Sequence, residues 1–111
     1  MKMMEPRLTL ATMKVLRMFV RNPTYQYAGS EISREADVWS GTLYPMLARL
    51  ETAGWLSSHW EDVDPRVAGR PRKRFYELTS RGRQKALGAF AELELSRSSS
   101  RSRGQREWVS T

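Results

Sequence analysis

The spacing of apolar residues changes along this chain, and that change restricts the fold more than any other feature of the sequence. Up to Gly54 the apolar side chains recur at helical intervals, whereas after it two short stretches alternate between apolar and polar residues, and a last helical stretch follows. The predicted helices cover residues 8–20, 25–37, 40–53 and about 80–95, and the predicted strands cover residues 56–61 and 72–78. We therefore expect a mainly α fold with a small β-hairpin.

Residues that favour helix ends stand at the expected boundaries. Ser40 is predicted to cap the third helix, and the cap shifts to Thr42 if Pro45 has to lie in the first turn. Gly54 should end that helix in a left-handed conformation. Thr79 is predicted to cap the last helix, because its hydroxyl can accept a hydrogen bond from an unpaired backbone amide.

The composition suits one small folded domain. The chain has 111 residues, of which 40% are hydrophobic, and we place the domain at residues 1–95. Residues 96–111 are mostly Ser, Arg, Gly and Gln, and so few apolar side chains cannot offset the entropy lost on ordering. We expect a disordered tail there. Trp108, within the tail, either stacks on a ligand or a partner or has no role.

Large apolar side chains are expected inside the domain. The leucines of the third helix should face the core, because they repeat at helical spacing: Leu43, Leu47 and Leu50. Trp39, Trp55 and Trp60 are also interpreted as core residues, since aromatic side chains at such positions usually fill a small core.

The residue types that most catalytic or metal sites need are scarce. The chain has no cysteine, which excludes thiol nucleophiles, disulfides and cysteine-ligated metals. Its single histidine, His59, cannot complete a histidine-based triad or metal site and is expected on the outer face of a strand. Glu61, Asp62 and Asp64 are interpreted as solvated carboxylates. Because an uninterrupted apolar segment is also missing, we expect a cytoplasmic protein without membrane contact, enzymatic activity or cofactor.

The net charge of +7 is concentrated in one part of the chain. Between Arg66 and Lys85 eight basic residues accompany one acidic residue, Glu77, while residues 1–65 carry a net charge of −1. Such local positive charge indicates a polyanionic partner, because lysine and arginine release counterions when they neutralise phosphates. The alternative is a solvated surface whose charge only keeps the protein soluble.

The order helix, helix, helix, hairpin, helix is that of a winged helix-turn-helix, in which the third helix enters the major groove of DNA. The hairpin of residues 56–78 is then the wing. The predicted contacts to double-stranded DNA combine hydrogen-bonding groups early in the third helix, an arginine further along it and basic residues of the wing: Ser40, Thr42, Tyr44, Arg49, Arg70, Arg72, Lys73 and Arg74. For Tyr44, packing against the wing is the alternative interpretation.

Two runs of residues resemble the PadR family of transcriptional regulators, and the short last helix with its Ser/Arg tail resembles the short-tailed branch of that family. The run from Gly41 to Glu51, GTLYPMLARLE, resembles that family's signature, and AGWL continues it. The run from Gly69 to Thr79, GRPRKRFYELT, resembles the family's wing, strand and cap. The resemblance implies a homodimeric repressor that binds a pseudo-palindromic operator and is often released by a small, commonly aromatic, effector. It also implies that the third helix meets the major groove through Ser40, Thr42, Tyr44 and Arg49, and that residues 70–74 meet the DNA backbone.

The last predicted helix carries an apolar stripe with no later element to cover it. We predict that this stripe packs against the first helix of a second subunit, through Leu87, Phe90, Ala91 and Leu95. Three other functions stay open from the sequence: a non-specific architectural DNA-binding protein, a winged-helix adaptor that binds a protein, and a dimer that sequesters aromatic ligands.

Overall fold

The computed structural model describes the backbone of residues 5–109 and the side chains of residues 5–97. Its elements are α1 Leu10–Arg21, β1 Tyr27–Ala28, α2 Gly29–Ala36, α3 Ser40–Thr52, β2 Leu56–Trp60, α4 Pro65–Ala68, β3 Arg74–Leu78 and α5 Ser80–Val109. The strands form one antiparallel sheet in the order β1, β3, β2. The predicted mainly helical fold with a β-hairpin, a winged helix-turn-helix, is confirmed.

The sheet contains one strand more than the predicted hairpin. Within the hairpin, Leu56 lies opposite Leu78 and Trp60 lies opposite Arg74. The additional strand, β1, pairs with the other edge of β3 and comes just before α2. It lies within residues 25–37, predicted as the second helix, so the predicted start of that helix is wrong. The two residues of β1 are too few to show the alternation that identifies a strand in a sequence.

The core lies where α1, α2 and α3 meet the sheet. Its fully buried side chains come from each of these elements and from the start of α5: Val15, Leu16, Phe19, Ile32, Leu43, Leu47, Leu50, Leu56 and Ala86. The three leucines of α3 predicted as core residues are among them. The helical stripes of the sequence therefore converge on one apolar centre.

The start of α3 differs from the prediction. Its N-cap is Trp39, whose backbone carbonyl accepts hydrogen bonds from the amides of Thr42 and Leu43 at 3.0 and 2.9 Å, so the assignment of Ser40 as the cap is wrong. Pro45 lies in the second turn rather than the first. Proline has no amide hydrogen to donate to the carbonyl of Gly41, and both residues are exposed.

The end of α3 is a tight turn into β2. Gly54 has a positive φ of 79°, as the sequence predicts, and its amide donates to the carbonyl of Glu51 at 3.0 Å. The amide of Trp55 donates to the carbonyl of Leu50 at 2.9 Å. These two bonds form a Schellman motif, which satisfies the last carbonyls of the helix and sends the chain directly into the hairpin.

A second set of contacts joins this turn to the start of α5. The amide of Thr79 donates to the carbonyl of Trp55 at 3.0 Å, and its hydroxyl donates to the carbonyl of Gly54 at 2.6 Å. The same hydroxyl accepts from the amide of Gly82 at 2.9 Å, which confirms the predicted cap of the last helix. We call Gly54, Trp55, Thr79 and Gly82 the helix–wing junction, because α3, β2, β3 and α5 all begin or end there.

The three tryptophans within the described side chains have different environments. Trp55 is 3% exposed, which confirms its assignment to the core. The same assignment is wrong for Trp39 and Trp60, which are 77% and 58% exposed. Trp39 precedes the first turn of α3 and lies outside the helical stripe that faces the core. Trp60 is the last residue of β2 and lies opposite Arg74.

The last helix, α5, is longer than predicted. The sequence pattern predicts an end near residue 95 and a disordered tail over residues 96–111, whereas the helix of the structure continues to Val109. The division between a folded part and a disordered tail stays a prediction. Although α5 is long, no helix within the described range is apolar enough over a sufficient length to cross a bilayer.

Gly82→Ala is expected to destabilise the fold. An added Cβ would collide with the carbonyl oxygen of Trp55 and lie 2.7 Å from its carbonyl carbon, and backbone atoms of the junction cannot move aside cheaply. The free energy of unfolding, measured by urea denaturation, should fall by about 2 kcal/mol or more. Gly88→Ala in the same helix is the control, because nothing lies within 4 Å of its added Cβ; it should be neutral or stabilise by up to about 1 kcal/mol. Equal effects of the two substitutions would contradict this role of the junction.

Candidate nucleic-acid interface

One face of α3 is open to solvent. Successive residues of an α-helix are rotated by about 100° about its axis. On the side of α3 opposite the buried leucines, residues therefore recur at intervals of three or four positions. These residues are all exposed and form what we call the reading face: Gly41, Pro45, Ala48 and Thr52. Most of their side chains are small, so another molecular surface, such as the floor of a DNA groove, can approach this side of α3 closely.

Two edges border the reading face. Thr42 and Arg49, both exposed, lie along one edge, and Tyr44 and Glu51 lie along the other. Tyr44 is 46% exposed, and its ring packs so closely on Gly29 that an added Cβ there would lie 2.9 Å from Cε1 and Oη of the tyrosine. Tyr44 therefore both packs against the start of α2 and offers part of its ring to solvent.

The wing is attached to the second of these edges. Glu51 of α3 accepts a hydrogen bond from the hydroxyl of Ser58 on β2 and lies 3.5 Å from Nη2 of Arg74 on β3. The guanidinium of Arg74 also lies 5.0 Å from the ring centre of Trp60, in a cation–π contact. The root of the wing and α3 thus form one continuous surface, and Arg74 is a link within it.

Glu61 stabilises the wing by binding residues on the opposite side of its loop. Its carboxylate accepts two hydrogen bonds from the guanidinium of Arg70, at 2.7 and 2.9 Å, and one from the amide of Lys73 at 3.2 Å. The hydrogen bond from Arg70 is the largest cause that lowers the pKa of Glu61 to about 2. The prediction of Glu61 as a free solvated carboxylate is therefore wrong, and Arg70 is already paired.

The tip of the wing is also held in place. Asp64, interpreted from the sequence as solvated, caps the short helix α4 by accepting from the amide of Arg66 at 2.9 Å. Gly69 ends α4 with a positive φ of 69°, and Nε of Arg72 donates to the carbonyl of Val63 at 2.8 Å. The wing is thus a built loop rather than an unsupported arm.

Pairing within the protein leaves only some of the basic residues free. Arg81 and Lys85 of α5 both lie near Glu5, at 3.2 and 3.4 Å, and so form ion pairs with the N-terminal segment. Three exposed wing cations pair with no carboxylate among residues 5–97: Arg66, Arg72 and Lys73. The free positive charge of the wing is therefore concentrated near its tip.

Arg49 lies away from the wing. With Ala48, Thr52 and Ala53 it lines a groove of about 860 Å³ whose other wall is the N-terminal segment, including Arg7. The structure therefore places Arg49 across the reading face from the wing cations rather than beside them. Arg7 is not among the predicted contacts, because it precedes the first helix and belongs to no motif.

The residues predicted for dimerisation divide into two groups. Phe90 packs against the core and lines a groove of about 520 Å³ between α1 and α5. Leu87, Ala91 and Leu95 are exposed, with Leu95 at 71%. An apolar strip along α5 is thus exposed to solvent. The side chain of Trp108, for which the sequence leaves a choice between stacking and no role, lies outside the described residues.

The candidate interface formed by α3 and the wing carries mainly charged side chains and hydrogen-bond donors. His59 is exposed on the outer side of β2, as predicted, where it stacks on Phe75 with ring centres 5.8 Å apart. Among the residues that the structure describes, no histidines and carboxylates group in a way that could hold a metal ion.

Comparison with known families and structures gives a consistent result. Residues 15–87 match the model of the transcriptional regulator PadR-like family. A PadR-like transcription factor of Bacteroides fragilis superposes with a TM-score of 0.65 at 24% identity, covering 82% of this chain and 89% of that one. No curated protein matches the sequence significantly.

A second similar structure is AbfR of Staphylococcus epidermidis, with a TM-score of 0.60 and 27% identity over 76% of this chain. The match covers 52% of that protein, so this chain spans about half of its length. Reduced AbfR bound to DNA is also similar, with a TM-score of 0.55, 26% identity, and coverage of 80% of this chain and 70% of that one.

The ion pair of Glu61 with Arg70 should be visible in an acid titration. Its pKa of about 2 lies below the ordinary value of 4.5, so the Glu61–Arg70 pair should contribute fully to stability above about pH 4.5 and lose its contribution as the pH falls through about 2. The NMR shift of the Lys73 amide, which donates to Glu61, should titrate with a midpoint near 2. Arg70→Met should move the midpoint upward, and a midpoint near 4.5 in the unsubstituted protein would show that the pair does not form.

Proposed function

Because this chain belongs to the PadR-like family of transcriptional regulators, we propose that it is a sequence-specific regulator, a repressor, that binds a pseudo-palindromic operator as a homodimer. The observation that carries the proposal is the continuity of two features, the reading face of α3 and a wing with free cations at its tip, joined through Glu51. A surface of this shape and charge suits a DNA duplex. We also infer that the protein is cytoplasmic and that it has neither enzymatic activity nor a cofactor.

Base recognition belongs to α3 in this proposal. The early residues Ser40, Thr42 and Tyr44 offer hydrogen-bonding groups around the reading face and would approach base edges in the major groove. Arg49, on the far edge, would reach the phosphate backbone on the side opposite the wing. The DNA-bound structure of AbfR supports the assignment of this fold to a DNA complex.

Backbone binding belongs to the free cations of the wing. Arg72 and Lys73 would neutralise phosphates or enter the minor groove beside the reading helix. Arg70 and Arg74, also predicted as DNA contacts, would act mainly by holding the wing in position, since each is paired with a carboxylate. The two pairs of basic residues therefore have different roles, although they are adjacent in the sequence.

Two copies would join through α5. The exposed strip of Leu87, Ala91 and Leu95 would pack on the first helix of a second subunit, with Phe90 at its border. Two reading helices would then address half-sites roughly 34–36 Å apart. Release by a small aromatic effector is consistent with the groove between α1 and α5, whose volume of about 520 Å³ is in the range of small-molecule sites.

The division of roles on the wing can be tested through salt dependence. For the double variant Arg72→Ala, Lys73→Ala, the slope of log affinity against log salt should become shallower by about 0.9 for each phosphate that is no longer neutralised, on selected and random duplexes alike. Arg70→Ala is the matched control and should change the slope by less than half as much, because Arg70 is paired with Glu61. Fluorescence anisotropy with both duplexes measures these slopes. Equal slopes for the two variants would contradict the assignment. The absence of any salt-dependent affinity for duplexes would favour a protein-binding adaptor.

The dimer can be tested on the exposed strip of α5. The double variant Leu87→Asp, Leu95→Asp should weaken self-association more than about a hundredfold, because each leucine would otherwise bury apolar surface at the interface. Sedimentation velocity measures the change. Val67→Asp is the control, because Val67 is 86% exposed but lies on α4 in the wing. A dimer that survives the substitutions in α5 would place the interface elsewhere.

A further inference from the structure

Trp39 is the most exposed aromatic side chain among residues 5–97. At 77% exposure it has no place in the core cluster, although its neighbour Val38 is buried there. A single exposed apolar side chain is common on a protein surface, so the position of Trp39 decides whether the residue can bind a partner. Trp39 lies next to Ser40, and thus at the start of the helix assigned to base recognition.

The position of the indole on α3 is specific. Its ring lies over Gly41, so closely that an added Cβ there would be 2.6 Å from Cη2 and 2.8 Å from Cε3 of the tryptophan. Gly41 belongs to the reading face. The indole therefore covers the first turn of the reading face, and a groove that admits α3 would meet it before most other side chains.

The chemistry of the major groove indicates what the indole would contact. Base edges there present hydrogen-bond donors and acceptors, and the one apolar group among them is the C5 methyl of thymine. The flat ring of Trp39 offers a large apolar face, with a single donor, Nε1–H, at its edge and no acceptor. Recognition helices contact base edges with their N-terminal residues, which is where Trp39 lies.

We propose that Trp39 determines sequence preference by packing its indole on the methyl group of a thymine in each half-site. This inference rests on the proposed DNA-binding function and adds to it a residue outside the predicted set of contacts. The neighbouring hydroxyls of Ser40 and Thr42 would bind polar atoms on adjacent base pairs, so that one thymine is read by shape and its neighbours by hydrogen bonds.

The experiment compares thymine with uracil, which lacks only the methyl group. The full chain first selects its preferred duplex from a random library, and each thymine of that duplex is then replaced singly by deoxyuridine. We expect one position per half-site at which the replacement weakens binding about fourfold, as the removal of one buried methyl group predicts. Trp39→Ala should bind the thymine and uracil duplexes equally at that position, and Trp39→Phe should retain part of the difference.

Trp60→Ala is the matched control, because Trp60 is also an exposed tryptophan, at 58%, but lies on the wing against Arg74. It should keep the full difference between thymine and uracil even if its overall affinity falls. Far-ultraviolet circular dichroism of each variant verifies the fold, which the exposure of both side chains leads us to expect intact.

The outcomes separate this inference from the proposed function. If the protein binds duplexes with the predicted salt dependence but no thymine is sensitive to loss of its methyl group, or if Trp39→Ala keeps that sensitivity, the role of Trp39 is wrong and the proposed function stands. A loss of affinity in Trp39→Ala that is equal on all duplexes would likewise overturn it, because the indole would then contact the sugar–phosphate backbone. If the chain binds no duplex at all, the proposed function fails and the inference fails with it.

Discussion

The backbone contacts around the carbonyl of Trp55 determine how the functional parts of the molecule are arranged. That carbonyl accepts a hydrogen bond from Thr79, and Gly82 packs directly against it, while Gly54 supplies the left-handed turn that brings the chain there. Four elements begin or end within these few residues. The angle between α3 and the wing, and the direction in which α5 leaves the domain, therefore depend on one small set of contacts in which a side chain at position 82 has no room.

Ion pairs within the protein engage some cations of the basic segment and leave the others available to bind a partner. By sequence, residues 66–85 carry eight cations and one anion, which suggests a uniformly positive surface. In the folded chain Glu61, Glu51 and Glu5 each take one or more of these cations into ion pairs. The carboxylates come from the net-negative first part of the chain. A count of charges thus overestimates the field that a DNA backbone would meet, and the ion pairs decide where that field is strongest.

Elements with a long repeating pattern could be predicted from the sequence, and those without one could not. The stripes of α1 and α3, the alternation in the hairpin and the terminator at Gly54 all gave correct elements, because local chemistry and tertiary structure favour the same conformation there. The strand β1 and the helix α4, with two and four residues, are too short for a periodic signal. The exposure of Trp39 and the pairing of Arg70 depend on neighbours that only the folded chain brings together. Among the predicted DNA contacts on α3, Tyr44 lies along the edge to which the wing is attached, whereas Thr42 and Arg49 lie along the opposite edge of the reading face.

The order already present in the wing has a thermodynamic consequence. A loop that becomes ordered only on its target gives up conformational entropy at that moment, and the accompanying burial appears as a large negative change in heat capacity. Here the hydrogen bonds of Glu61 and Asp64 set the shape of the wing during folding of the domain itself. Association through this wing would then resemble the docking of two rigid bodies, with an enthalpy that varies little with temperature and a free energy governed by displaced ions.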